Sequence, residues 1–173
     1  FLSMFHYLRR YPTTETNRNR LRARMYYQHF LGIDVMALAP RVTDAAAVSA
    51  EYKIPTMQAA DCVVCHKSID PLAGLFQDYN EGGHLGPRKD GWYTDMFPPG
   101  FEGEDLPKDQ KWRAMQWLGE RTAKDPRFAV AMVEHVYYLL MGRKVLQPPE
   151  DIDDPLFASR RRAYQEQRRL IED

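Results

Sequence analysis

Both cysteines of the chain stand three positions apart, in Asp61-Cys62-Val63-Val64-Cys65-His66-Lys67, and a histidine follows the second directly. No other stretch limits the possible folds as strongly, because such a cluster serves as a metal clamp, a redox dithiol or an anchor for a large cofactor. A structural zinc site needs four ligands, normally from two separated pairs, and the second cysteine pair is missing. Adjacent residues such as Cys65 and His66 are also awkward partners on one tetrahedral ion. A thioredoxin-like dithiol belongs in a βαβ setting, which this sequence does not offer.

Covalent haem attachment uses every part of the motif. Two cysteines three apart lie on one side of a helical turn, so both sulfurs can bond the vinyl-derived carbons along one porphyrin edge. His66 then stands ready as the proximal ligand of the iron. The expected cofactor is one haem c, tethered through Cys62 and Cys65.

The rest of the chain reads as mainly α. A helix is expected over about 15 to 31, with Leu21, Met25 and Gln28 or His29 along one side and Arg18, Arg20, Arg22 and Arg24 spread over the others. An Ala-rich piece, Asp44 to Tyr52, predicts a second helix, broken before Pro55. Thr56 is the expected N-cap of a short helix carrying Met57 to Cys65. From His66 to Leu106 glycines and prolines punctuate the chain with no sustained period. A loop that long needs an organiser, and a bound cofactor would supply one. Helices return over about 107 to 122 and 126 to 141, the latter started by Asp125-Pro126 and stopped by Gly142. Its apolar stripe is Phe128, Met132, His135 and Leu139, with His135 expected as a satisfied core histidine. Ser159 to Asp173 predicts a charged helix, solvated or held by a partner. No strand pattern and no internal repeat is visible.

Charge and hydropathy narrow the partners. Lysine plus arginine equals aspartate plus glutamate, 24 of each, so no global field favours nucleic acid or an anionic membrane. The longest apolar run, Phe128 to Met141, is interrupted by Glu134 and His135 and is too short to span a bilayer. The sequence opens at Phe1 without a basic-then-apolar leader, which fits a mature exported protein or a piece of a longer one.

The run Cys62-Val63-Val64-Cys65-His66-Lys67-Ser68-Ile69-Asp70-Pro71-Leu72 resembles the cytochrome c-like domains of planctomycete-type multidomain proteins, where the haem motif leads straight into Ile-Asp-Pro-Leu. Gly91-Trp92, Phe128 and Gly142-Arg143 extend the resemblance over roughly residues 55 to 147. It departs from that pattern at Ala73-Gly74-Leu75-Phe76 and at Leu139. The resemblance implies a cytochrome c-like domain wrapped around one haem, usually on exported proteins, hence a periplasmic or extracellular location. It also implies that the helix before the motif crosses the last helix, Met57 to Cys65 against Phe128 to Met141. The proximal imidazole needs a partner for its other nitrogen. A backbone carbonyl in Asp70-Pro71-Leu72 is the expected one, which makes Pro71 a cofactor-side residue together with Trp92, which with Tyr93, Phe97, Phe101, Trp112 and Trp117 is suitable wall material for a porphyrin.

The sixth ligand decides what such a haem does. Met57, nine residues before His66, would lie about 13 Å away along a helix and on the opposite side. Met115, Met132 and Met141 sit on helices, where methionine usually fills core space. Met96, in Asp95-Met96-Phe97-Pro98-Pro99-Gly100, is the expected distal ligand, and His84, in a glycine-rich loop, is the runner-up. His6 and His29 are assigned to a partner surface. The arginines of the first helix are assigned to solvent, or to haem propionates or an acidic neighbouring subunit.

The expected organisation is therefore a helical N-terminal extension over 1 to 54, a haem domain over 55 to 147 and a charged tail over 148 to 173. The expected function is one-electron transfer by a monohaem c-type cytochrome, docked with redox protein partners in a larger assembly. The alternatives are a haem enzyme or sensor with an open distal site, for peroxide or small-gas chemistry, and a structural haem module.

Overall fold

The structure, a computed structural model, describes residues 1–38 and 51–172. The helix expected over Asp44 to Tyr52 falls outside them apart from Glu51 and Tyr52, which are not helical. The described residues are mainly α. They form α1 (Phe5–Arg10), α2 (Arg20–Phe30), a 3-10 turn (Val35–Leu38), α3 (Pro55–Gln58), α4 (Ala60–Leu75), strands β1 (Tyr79–Asn80), β2 (Gly83–His84), β3 (Gly100–Phe101) and β4 (Glu104–Asp105), a 3-10 helix (Lys108–Arg113), then α5 (Ala114–Thr122), α6 (Pro126–Met141) and α7 (Phe157–Glu172).

The arginine-rich helix starts at Arg20, later than its composition suggests. Thr14 to Asn19 instead make a turn in which the Arg18 and Arg20 amides donate to the carbonyls of Thr14 and Asn17, with Arg18 and Asn19 left-handed at φ 46° and 67°. Its buried face is also rotated from the expected one. Arg22, Ala23, Tyr26 and Tyr27 go inside, while Leu21 and Met25 are half-buried and Gln28 is exposed. Two tyrosines offer more apolar area than a leucine and a methionine, and Arg22 can be hidden because its donors find backbone acceptors.

The cysteine motif does not end a helix. It occupies the first turns of the sixteen-residue α4, which runs on through Pro71 to Leu75. Proline there removes the bond that the Lys67 carbonyl would accept, at a cost of about 3 kcal/mol. Cys65, Ile69, Leu72, Ala73 and Phe76 form a buried stripe at helical spacing. Leu72 and Phe76 alone, fully buried, each return about 1.5–3 kcal/mol, so packing wins over propensity.

The segment expected as an unstructured loop to Leu106 is organised by the chain itself. Antiparallel pairs join β1 to β2 and β3 to β4, strands too short to show alternation. Glu102 and Gly103, at φ 50° and 86°, make the two-residue turn of the second hairpin, the geometry that matches strand twist. Gly74 lies so close to Pro99 that a Cβ would stand 2.7 Å from the proline Cγ, which lets the 96–99 segment rest on α4.

α4 packs chiefly on α2, while α6 lies against α2 and α7. This arrangement replaces the expected crossing of Met57–Cys65 on Phe128–Met141. Helix α6 has the expected ends: Asp125 caps it by accepting from the Arg127 amide, and Gly142 closes it at φ 65°. Its stripe meets the core only at its start, where Phe128 packs against the cluster and stacks on Phe30. Only Ala131 is buried, and Leu139 and Leu140 are each 78% exposed. His135 is likewise exposed, although its Nε2 donates to the His29 carbonyl at 2.7 Å. The tail helix α7 docks on α6 of the same chain, with Arg168 bridging Glu134 and Glu172. One hydrophobic cluster runs from Tyr7 and Tyr26 through Cys65 and Phe76 to Trp117, so the core crosses the boundary expected at 54/55. Among the described residues no helix is long and apolar enough to cross a membrane.

Candidate haem-anchoring site on α4

Residues three and four apart on a helix share a face, so α4 presents Cys62, Cys65, His66 and Asp70 on one broad side. Both cysteines are free thiols. Cys62 is half-buried, whereas Cys65 is buried and its Sγ–H points to the Val35 carbonyl at 3.5 Å. Burial pushes the Cys65 thiol above the ordinary cysteine range, with the neighbouring Cys62 and Asp34 adding to the effect.

His66 is fixed by the residue one helical turn ahead. Its Nδ1 lies 2.9 Å from Oδ1 of Asp70, a carboxylate with no solvent exposure. A carboxylate oxygen accepts, so Nδ1 is the donating nitrogen, and in the neutral imidazole of that tautomer the lone pair is on Nε2. Asp70 is compensated from another element: Arg20 of α2 donates from Nε to Oδ1 at 2.7 Å and from Nη2 to Oδ2 at 3.4 Å. A buried carboxylate without such donors would be costly. The partner of His66 thus does lie in Asp70-Pro71-Leu72, but it is the Asp70 side chain and not a carbonyl beside Pro71. Pro71 itself is half-buried within the helix.

The other expected residues are placed as follows. Met96 is buried, 3% exposed, in the same hydrophobic cluster as Cys65 and Ile69. Its loop runs beside α3 and α4, touching Thr56 through the Asp95 carbonyl at 3.4 Å and Gly74 through Pro99. Thr56 therefore serves as a donor to that loop and not as the expected N-cap. Trp92 is half-buried and donates from Nε1 to the Phe97 carbonyl at 2.9 Å, bracing the loop that carries Met96. His84 is exposed, with its ring edge-on to Tyr79 at 5.1 Å. Of the remaining aromatics, Trp117 is buried but Trp112 is 76% exposed and walls nothing.

Arginines around the site are committed to the fold. Arg18 pairs with Asp95 at 2.7 Å and sits 4.3 Å above the Tyr93 ring, which Arg88 approaches to 4.0 Å. The Arg18 guanidinium, by its hydrogen bond, holds the Asp95 carboxyl below the usual range. Arg22 is fully buried among carbonyls.

The donor set suits a covalently attached haem better than a bare ion. Two unbridged thiols beside an imidazole whose Nε2 has no partner among the described residues could tether such a group and ligate its iron. Among the described residues no group of three or more His, Cys, Asp or Glu side chains is arranged to hold a metal ion. Sequence reasoning missed the Asp70 side chain, yet an aspartate four residues after a histidine on a helix is a readable signal. No protein-family model, curated protein or solved structure matches this chain.

Proposed function

We propose that this chain is a monohaem c-type cytochrome engaged in one-electron transfer, exported and working with redox protein partners. One observation carries the reading: the Asp70 carboxylate binds Nδ1 of His66, Nε2 has no partner among the described residues, and two unbridged cysteines stand beside it on the same helix. Bound haem would supply reversible one-electron exchange at iron. Cys62 and Cys65 would hold it by thioether bonds, His66 would ligate the iron, and Asp70 would keep that imidazole in one tautomer and orientation. Met96 is the proposed sixth ligand, delivered by a loop that Trp92 and the Arg18–Asp95 pair hold in place.

The test is maturation in a host that attaches haem c. The product should keep its haem through acid-acetone extraction and show a low-spin spectrum in both oxidation states, and Cys62→Ala with Cys65→Ala should abolish attachment. A wild-type chain that emerges colourless from such a host sinks the proposal.

A second reading, a haem enzyme or sensor with an open distal site, is favoured by the carboxylate behind His66, which raises the basicity of the ligand. It requires a high-spin ferric spectrum that added cyanide converts to low spin.

A further inference from the structure

Two donors share a single oxygen in this site. Oδ1 of Asp70 accepts from Nδ1 of His66 at 2.9 Å and from Nε of Arg20 at 2.7 Å. Asp70 is fully buried, while the Arg20 and His66 side chains are each 22% exposed, so solvent screens the carboxylate little. Electron density that the guanidinium draws from Oδ1 is not available to the imidazole N–H. The three residues are coupled through one atom. Arg20 comes from α2 and the other two from α4, so the coupling also joins the two helices whose packing centres the core.

We propose that Arg20 is a positioning residue that sets, through Asp70, the electron-donating strength of His66 toward the iron, an inference resting on the haem reading above. A full carboxylate charge on Nδ1 pushes the imidazole toward imidazolate and stabilises oxidised iron. Arg20 moderates that push. Removing the guanidinium strengthens the His66–Asp70 bond and lowers the reduction potential, while removing the carboxylate charge raises it. The two single substitutions therefore act in opposite directions; two bystander charges of opposite sign would do the same, so the Nδ1 proton of His66 is the readout that separates coupling through Asp70 from a plain charge effect.

The experiment is redox titration of the haem-loaded full chain. Asp70→Asn should shift the reduced-to-oxidised ratio at fixed poise roughly tenfold toward reduced, about 59 mV for a one-electron couple, and Arg20→Gln should shift it in the opposite sense. Arg20→Lys, which restores the charge without the fork, should return part of the way. Shifts of the same sign in Asp70→Asn and Arg20→Gln, or no shift in either, overturn the proposal. A chain that takes up no haem defeats the function proposed above and leaves a separate readout. In the haem-free protein labelled with nitrogen-15, the Nδ1 proton of His66 should resonate far downfield, move further in Arg20→Gln and vanish in Asp70→Asn. An unmoved Nδ1 proton in both variants overturns the coupling by itself.

Discussion

Arg22 donates from Nη1 to the carbonyl oxygen of Tyr79 at 2.8 Å, a bond that ties α2 to the first hairpin. The same guanidinium reaches the carbonyls of Tyr11 and Leu8 at 2.8 and 3.1 Å and the Asn19 side chain at 2.9 Å, with Glu81 at 3.7 Å. Burial pulls its pKa below the usual arginine value, against the pull of Glu81. Replacing it by methionine should cost about 3 kcal/mol or more, since several buried carbonyls lose their donor at once. Urea unfolding of Arg22→Met measures this, and a midpoint equal to wild type would contradict it.

Met96 can be tested for two roles in one pair of variants. As buried core it should tolerate leucine within about 1.5 kcal/mol and lose about 2–5 kcal/mol on truncation to alanine. As sixth ligand it should give a weak far-red sulfur-to-iron band in the oxidised protein, and that band should be absent from Met96→Leu although the fold is kept. Persistence of the band in a folded Met96→Leu protein would assign the thioether elsewhere.

Acid should release α6 before the centre of the core. The hydrogen bond from Arg127 holds the Asp125 carboxyl below the ordinary aspartate range. A depressed carboxylate pKa adds stability that is complete above the unfolded value of about 4 and is lost as pH falls through the folded value. His29 adds a second component of the same sign. Burial, with help from His135, keeps its pKa below the ordinary histidine value, so its contribution begins to fade below about pH 6.5. Hydrogen exchange followed from pH 7 to pH 3 should show α6 amides losing protection ahead of α4. Asp125→Ala should advance that loss and cost about 1 kcal/mol at neutral pH through the missing cap.

The two thiols should differ in reactivity in the haem-free protein. Cys62 is half-buried, whereas Cys65 is enclosed against Val35 and its thiol is pushed up by burial. Thiolate is the reactive form, so iodoacetamide at pH 8 should label Cys62 well ahead of Cys65. Peptide mass spectrometry resolves the two sites. Haem-loaded protein should take up no label at either, and equal labelling of the haem-free chain would contradict the burial of Cys65.

How much of this was legible in the sequence depends on whether a residue's partner lies nearby in the chain. Asp125, Pro126 and Gly142 specify both ends of α6 by local backbone chemistry, and those ends are where the spacing puts them. The exposure of Leu139 and His135 was not legible, because a stripe of apolar residues states that a face is greasy and not what covers it. The run of α4 through Pro71 was hidden for the opposite reason. Its stabilisation comes from Leu72 and Phe76 meeting a core partly built by α2, contacts that no local rule weighs. In the candidate site, the Cys62, Cys65 and His66 set could be read from spacing alone. Asp70 needed only the helix to continue one more turn, but Arg20 comes from fifty positions away and could be named only as one arginine among several.

The Arg20 contact also bears on portability. A cassette cut at the apparent boundary, residues 55 to 147, would carry both sulfurs, the imidazole and the carboxylate into a new host protein. It would leave behind the cation that neutralises the carboxylate, together with Tyr26 and Tyr27 of the hydrophobic cluster that Cys65 and Ile69 join. The recipient would then hold an uncompensated buried anion behind its histidine, so transplanting the motif intact means taking α2 with it.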